Sequence, residues 1–550
     1  MTINSNKKAT VSFESLLKIF TVPEGPESTL TQIESALSHN LNAFLNDHIV
    51  AEEKPLADIE RDFAQAQIPD EPEFVSVHTD HLLEKVVAHS VHTASPHFIG
   101  HMTSALPYFL LPLAKVMTAL NQNLVKIETS KAFTPLERQV LGMLHHLIYQ
   151  RSDAFYAPLM HSASHSLGAF CSGGTVANIT ALWVARNHAL PADGGFAGIA
   201  HSGLNAALRH YGYDDLAILV SERGHYSLKK AADVLGIGQN NVVTIPTDEH
   251  NRLDLAAFET TLTQLKQKNV CVFAVVGIAG TTETGNVDPL PAMAKICQRE
   301  NIHFHVDAAW GGATLFSDTH RHLLRGIEQA DSVTIDAHKQ LYIPMGAGMV
   351  LFKNPSALQA IEHHAQYILR AGSKDLGSHT LEGSRSGIAM LVYSSLHILG
   401  RRGYQLLIDQ SIQKAHFFAR LISEQADFEL VSKPELCLLT YRYVPHIAVK
   451  ALAIATQEQQ NKLNALLNEL TIFMQKKQRE NGRSFVSRTQ LTPLRWSSYP
   501  IVVFRVVLAN PLTTEDILRS VLDEQRHLAQ QATSLLKMIE ADCRAILDQS

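Results

Sequence analysis

The feature that most constrains this chain is a series of short apolar runs spaced by helical stretches. Ala217 to Val220, Val270 to Val276, Ile302 to Val306 and Ser332 to Ile335 are each too short for a helix. Polar or glycine-rich turns follow several of them, and amphipathic patterns fill the intervals. Buried strands alternating with helices predict an α/β domain built on a mostly parallel sheet. Gly348 to Phe352 adds a further strand, read as antiparallel. This domain is expected over residues 126–400.

Residues 1–125 read as an N-terminal extension. Helical patterns at Leu30 to Leu45 and Asp80 to Val91 flank the turn-rich stretch PDEPEF. The segment HTASPHFIGHMTSALPYF carries little charge and two prolines, and suits a strap laid over another surface. Residues 401–550 read as a small α+β domain. It has a helix after Gly403, a strand at Glu429 to Val431, a helix from about Ala455 to Met474 and a strand from Ile501. Thr513 and Thr514 begin the last expected helix, with Glu515 and Asp516 favourable in its first turn.

A chain of 550 residues with 45% hydrophobic and 18% charged residues is globular. The net charge of -6 offers no basic face for nucleic acid. Cys171, Cys271, Cys297, Cys437 and Cys543 are scattered without metal-ligand spacing, and five free thiols fit the reducing cytoplasm. The stretch MTINSNKKATVSFESLLKIF lacks the long apolar core expected of a signal peptide. The run nearest to a membrane span, Met102 to Leu120, is broken by Pro107, Pro112 and Lys115.

Ligands of open α/β sheets bind beyond the carboxyl ends of the strands. The chemically distinctive residues fall there. In CSGGTVANITAL, Ser172 to Thr175 precede a helical pattern, so bare amides and hydroxyls could cup an anion. It is neither a Walker motif nor a dinucleotide fingerprint. In HFHVDAAWGG, Asp307 ends an apolar strand, where it either caps a helix or holds a cationic ring nitrogen. In SVTIDAHKQLYIPMGAG, Lys339 sits among small and apolar residues, as a snorkelling side chain or a Schiff-base nucleophile. His225 follows the strand at Ala217 to Val220, placed to stack on a planar ring.

Together these segments resemble the group II decarboxylase branch of the fold type I pyridoxal-phosphate enzymes. The matches are DAAWGG, DAHK, GTTETGNVDP, HYSLKKA and FRVVLANPLTTEDI, spread over about residues 90–530. The resemblance implies a fold type I transferase-like large domain, pyridoxal 5'-phosphate as cofactor, no metal and a homodimer with active sites near the subunit boundary. It makes Lys339 the lysine that joins the cofactor aldehyde, Asp307 the partner of the pyridine nitrogen and His225 the stacking base. Ala309 packs the other ring face, Thr282 lies near the ring substituents, and Gly174, Thr175 and Ser332 match phosphate contacts. His338 meets phosphate or substrate.

The resemblance also implies loss of the 1-carboxylate from an acidic L-amino acid. L-aspartate, giving β-alanine, is the first expectation, ahead of L-glutamate and cysteine sulfinate. Arg385, in LEGSRSG, matches the arginine that pairs with a distal carboxylate. His97, Phe98 and Asn123 match the lining of the substrate entrance. Tyr367, in a loop after the lysine, is the expected proton donor to Cα, with His379 as substitute.

Overall fold

The structure, a computed structural model, describes residues 29–47, 50–51, 54–364, 372–493, 496 and 499–549. Its central sheet contains β1 (Gly168–Cys171), β2 (Asp215–Ser221), β3 (Val242–Ile245), β4 (Val270–Ile278), β5 (His303–Asp307), β6 (Ser332–Asp336) and β7 (Gly348–Phe352). The order is β1-β7-β6-β5-β4-β2-β3. Neighbours from β3 to β6 pair in parallel, whereas β7 runs antiparallel to both β6 and β1. The expected antiparallel strand is therefore present, with the expected bounds. β1 and β3, of four residues each, were not anticipated.

Burial on both faces explains the unbroken apolar runs. In β2, Ala217 and Leu219 join one core and Leu216, Ile218 and Val220 the core on the opposite face. Helix Gly174–Ala189 crosses β7 and β6, while Leu255–Gln267 and Leu290–Glu300 pack on β4 and β5.

A second sheet, wholly antiparallel, has the order β10-β11-β9-β8. Its strands are β8 (Phe428–Ser432), β9 (Leu438–Tyr443), β10 (Ser487–Leu491) and β11 (Ile501–Val507). Long helices at Ala389–Ser423 and Gln457–Asn481 pack against it. Thr514 does cap a helix, accepting from the Ile517 amide, but Thr533–Leu547 follows it as a further helix.

The low-charge segment is a strap. Ile99 donates to the Phe485 carbonyl at 3.0 Å and accepts from the Val507 amide at 2.7 Å. Asn510 Nδ2 donates to the Ala94 and Ser95 carbonyls, and the Thr513 hydroxyl to that of Pro96. The strap thus ties the extension to the end of β11 and carries His101 toward the central sheet.

Candidate active site

Lys339, Asp307, His225, Thr282, Gly174 and His338 line one cavity of about 330 Å³ at the carboxyl ends of β2, β4, β5 and β6. Thr175 and Ala309 border it as well. Most reach it by the same local route: a buried strand ends, the chain turns, and the residues just outside the sheet face the cavity, while Asp307 is itself the last residue of β5.

The floor is a set of hydrogen bonds around Asp307. One carboxylate oxygen accepts from Asn178 Nδ2 at 2.9 Å, and the other from the Ala309 amide at 3.1 Å. Asn178 Nδ2 also donates to the Ser227 hydroxyl, which lies 2.8 Å from His225 Nδ1. The Ser227 backbone amide also donates to Nδ1, at 3.3 Å, so Nδ1 is the acceptor and the Ser227 hydroxyl gives its proton to it. His225 therefore carries its own proton on Nε2. Burial lowers the pKa of His225, with nearby Asp307 opposing, so the neutral ring is favoured.

Lys339 forms another wall. Its Nζ lies 3.1 Å from Asp336 Oδ2, and His338 Nε2 lies 3.6 Å from the same oxygen. His338 Nδ1 donates to the Ala347 carbonyl at 2.9 Å, which fixes the ring. Burial lowers the pKa of His338. The helix start at Gly174 faces this corner. A Cβ on Gly174 would lie 2.8 Å from Asp336 Oδ2, so only glycine allows the approach. Lys339, His338 and Met345 also wall an apolar cavity beneath Leu106 and Leu110.

Arg505 was missed, although a cation inside the apolar run IVVFRVV is itself a signal. Its Nε donates to the Thr282 carbonyl at 2.6 Å, and its Nη1 to the Gly100 carbonyl and the Ser487 hydroxyl at 3.3 Å. Nη2 has no partner among the described residues. Burial pushes the guanidinium down to about 10, against the pull of Glu283. Burial lowers the pKa of His101, and the charges of Arg505 and Lys339 lower it further. Asn178 and Asp336 were also missed, lying inside quoted motifs but drawing no attention as polar residues among apolar ones.

Other expected residues lie elsewhere. Ser332 begins β6, whereas the cavity lies at the Asp336 end, so it is no phosphate contact. Its hydroxyl instead meets His303 and His305, each at 2.8 Å. Arg385 is not a free carboxylate fork. Its two terminal nitrogens already hold the Glu137 carboxylate, at 2.8 and 3.1 Å, and both side chains are buried. Asn123 Oδ1 accepts from the Arg385 amide, which ties it to the same corner. Phe98 stacks on Phe485 with ring centres 4.8 Å apart, and His97 accepts from the Phe485 amide; neither lines the cavity. His379 is buried, with Nδ1 against the Ser378 hydroxyl and Nε2 3.5 Å from Glu362. Tyr367 lies outside the described residues.

Residues 58–444 match the model of the pyridoxal-dependent decarboxylase conserved domain. The chain belongs to the pyridoxal-dependent decarboxylase family. It is 65% identical over 537 residues to aspartate 1-decarboxylase of Aliivibrio fischeri, covering 98% of both chains. It is 29% identical to L-2,4-diaminobutyrate decarboxylase of Rhizobium meliloti, covering 79% of this chain and 78% of that one. The crystal structure of mouse CSAD superposes with a TM-score of 0.76 at 26% identity, covering 90% of this chain and 98% of that one.

This pyridoxal-dependent decarboxylase presents a cavity that fits its cofactor. The buried Asp307 carboxylate is aimed and held by two donors, as a ring cation requires. The glycine start of helix Gly174–Ala189 offers unpaired amides to a phosphate. Lys339 supplies an amine within the same walls.

Proposed function

We propose that this decarboxylase acts on L-aspartate, releasing the 1-carboxylate as carbon dioxide and forming β-alanine. The observation that carries the substrate is the 65% identity across 98% of an aspartate 1-decarboxylase. A buried arginine, Arg505, which holds the carbonyl of the cavity residue Thr282, supports an acidic substrate.

The bound cofactor supplies a conjugated ring that accepts the electron pair left by the departing carboxylate. The remaining work falls to side chains. Asp307 holds the ring nitrogen, and its tether to Asn178 and the Ala309 amide limits its movement. Neutral His225 and Ala309 would hold the ring. Gly174 and Thr175 would hold the phosphate, and Lys339 would supply the amine that tethers the cofactor. Arg505 takes a substrate carboxylate with its unpaired Nη2, displacing no internal ion pair. Tyr367 delivers the proton to Cα.

Carbon dioxide release from cofactor-loaded protein, with L-aspartate, L-glutamate and cysteine sulfinate in parallel, tests this reading. Preference for aspartate supports it. Preference for either other acid overturns the substrate while leaving the decarboxylase intact.

We further infer a cytoplasmic homodimer. The five cysteines are free, as in a reducing compartment. Among the described residues, no helix is long and apolar enough to cross a membrane. Tyr108 and Leu111 are 85% and 66% exposed beside Leu106 and Val116, an apolar patch suited to a second copy. Light scattering tests the assembly: a monomeric mass would refute it.

A further inference from the structure

Beneath Asp307 runs a line of buried polar groups that the reaction does not touch. Asn178 Oδ1 lies 3.1 Å from His305 Nε2. His305 Nδ1 lies 2.8 Å from the Ser332 hydroxyl, and the same hydroxyl is 2.8 Å from His303 Nε2. His303 lines a separate polar cavity of about 460 Å³, with His188, Cys271 and Asp331. His303, His305 and Asp307 alternate along β5 and share one face, so the line runs along that face of the sheet, from the carboxyl end of β5 to the amino ends of β5 and β6.

The direction of every hydrogen bond follows from its Asp307 end. A carboxylate only accepts, so Asn178 must present its NH₂ group to Asp307 and its oxygen to His305. His305 must then donate from Nε2, which leaves Nδ1 as an acceptor. Ser332 gives its one proton to that Nδ1. Its oxygen is left to accept from His303 Nε2. Both imidazoles have their pKa lowered by burial, which favours the neutral forms this order needs. Donors at His303, Ser332, His305 and Asn178 all point toward Asp307. Aligned bonds polarise one another in a buried setting, so the last donor is strengthened by those behind it.

We propose that His303, Ser332 and His305 are positioning residues that act through Asn178 to orient Asp307 and reinforce its hold on the cofactor ring. The relay rests on the reading of Asp307 as the partner of the ring nitrogen. Ser332 is its middle link, and His303 ends it at the second cavity. There the groups around His303 are His188, Asp331, Cys271, Tyr213, Lys266 and Glu300, the last two paired with each other.

The test is made on the cofactor-loaded enzyme, measuring the dissociation constant for pyridoxal phosphate and the ratio of the visible cofactor bands. Ser332→Ala breaks the relay while both imidazoles remain, and Ser332→Thr keeps the hydroxyl. Ser332→Ala is expected to weaken cofactor binding about tenfold and to change the band ratio, with Ser332→Thr restoring both. If Ser332→Ala fails to fold, His303→Phe and His303→Gln replace the pair, since glutamine retains a donor toward Ser332. Asp307→Asn is measured alongside. If it alters affinity and bands while Ser332→Ala and His303→Phe leave both at wild-type values, the relay is refuted. A lower melting temperature alone in those variants also refutes it. If Asp307→Asn itself changes neither quantity, the reading of Asp307 has failed and the relay falls with it.

Discussion

Lys339 Nζ lies 3.1 Å from Asp336 Oδ2, with Asp336 ending β6 and Lys339 in the turn just beyond it. Asp336 is buried, and its other oxygen has no hydrogen-bond partner. Removing the ammonium strands a buried carboxylate, which costs about 3 kcal/mol when one partner of such a pair is deleted. Lys339→Ala is thus expected to lose activity and also to melt lower in the absence of cofactor. The double variant Lys339→Ala with Asp336→Asn should recover most of that melting temperature without recovering activity. A double variant no more stable than Lys339→Ala would show that the pair contributes nothing to the fold.

Arg385 and Glu137 predict a different signature. Arg385→Met should lower stability by about 3 kcal/mol by leaving Glu137 buried and unpaired. Glu137→Gln should lose stability in the same way. Denaturant titration reads both. A substrate contact would instead raise KM for aspartate in Arg385→Lys and leave the titration midpoint unchanged.

Arg505→Lys separates substrate binding from cofactor binding. Lysine keeps the charge but cannot hold Thr282, Gly100 and a carboxylate together. A fall in kcat/KM of at least about tenfold is expected, from lost charge-assisted bonds. Cofactor affinity should stay near the wild-type value. A loss of cofactor with unchanged KM would assign Arg505 to the cofactor pocket instead.

Acid stability should respond to His145. It is fully buried between the Tyr156 hydroxyl and the Phe352 carbonyl, and burial pushes its pKa from 6.5 down to about 4. Between those values the unfolded chain binds the proton and the folded chain does not. The folded state therefore loses stability as pH falls from 6.5 toward 4. His145→Gln should flatten that part of the stability curve. An unchanged slope in the variant would place the acid sensitivity in other groups.

Much of the site was legible because its signals are local. Lys339, Asp307 and His225 each follow an apolar run that must be a strand, and a strand end in a parallel sheet is where ligands bind. Gly174 and Thr175 open a helix just beyond such an end, whereas Thr282, Ala309 and His338 were expected there only because the family resemblance implied it. The misreadings arose where residues near in sequence diverge in space. Ser332 and Asp336 belong to one strand, yet about 3.3 Å of rise per residue carries them to opposite ends of the sheet. Phe98 lies in a strap whose His101 feels the charge of Lys339, but its own ring turns onto Phe485.

The apolar runs by themselves determined a doubly covered, mostly parallel sheet, because segments that short and that hydrophobic can hide only between helices. The turn residues after them determined where chemistry collects. Tertiary structure alone decided which of two arginines is available. Arg385 meets Glu137 from a helix some 250 residues away in the chain and is neutralised there. Arg505 reaches Thr282 from the second sheet and keeps one nitrogen without a partner among the described residues. Charge pairing depends on which carboxylate lies across a gap of a few ångströms, and that distance is set by packing rather than by any local pattern.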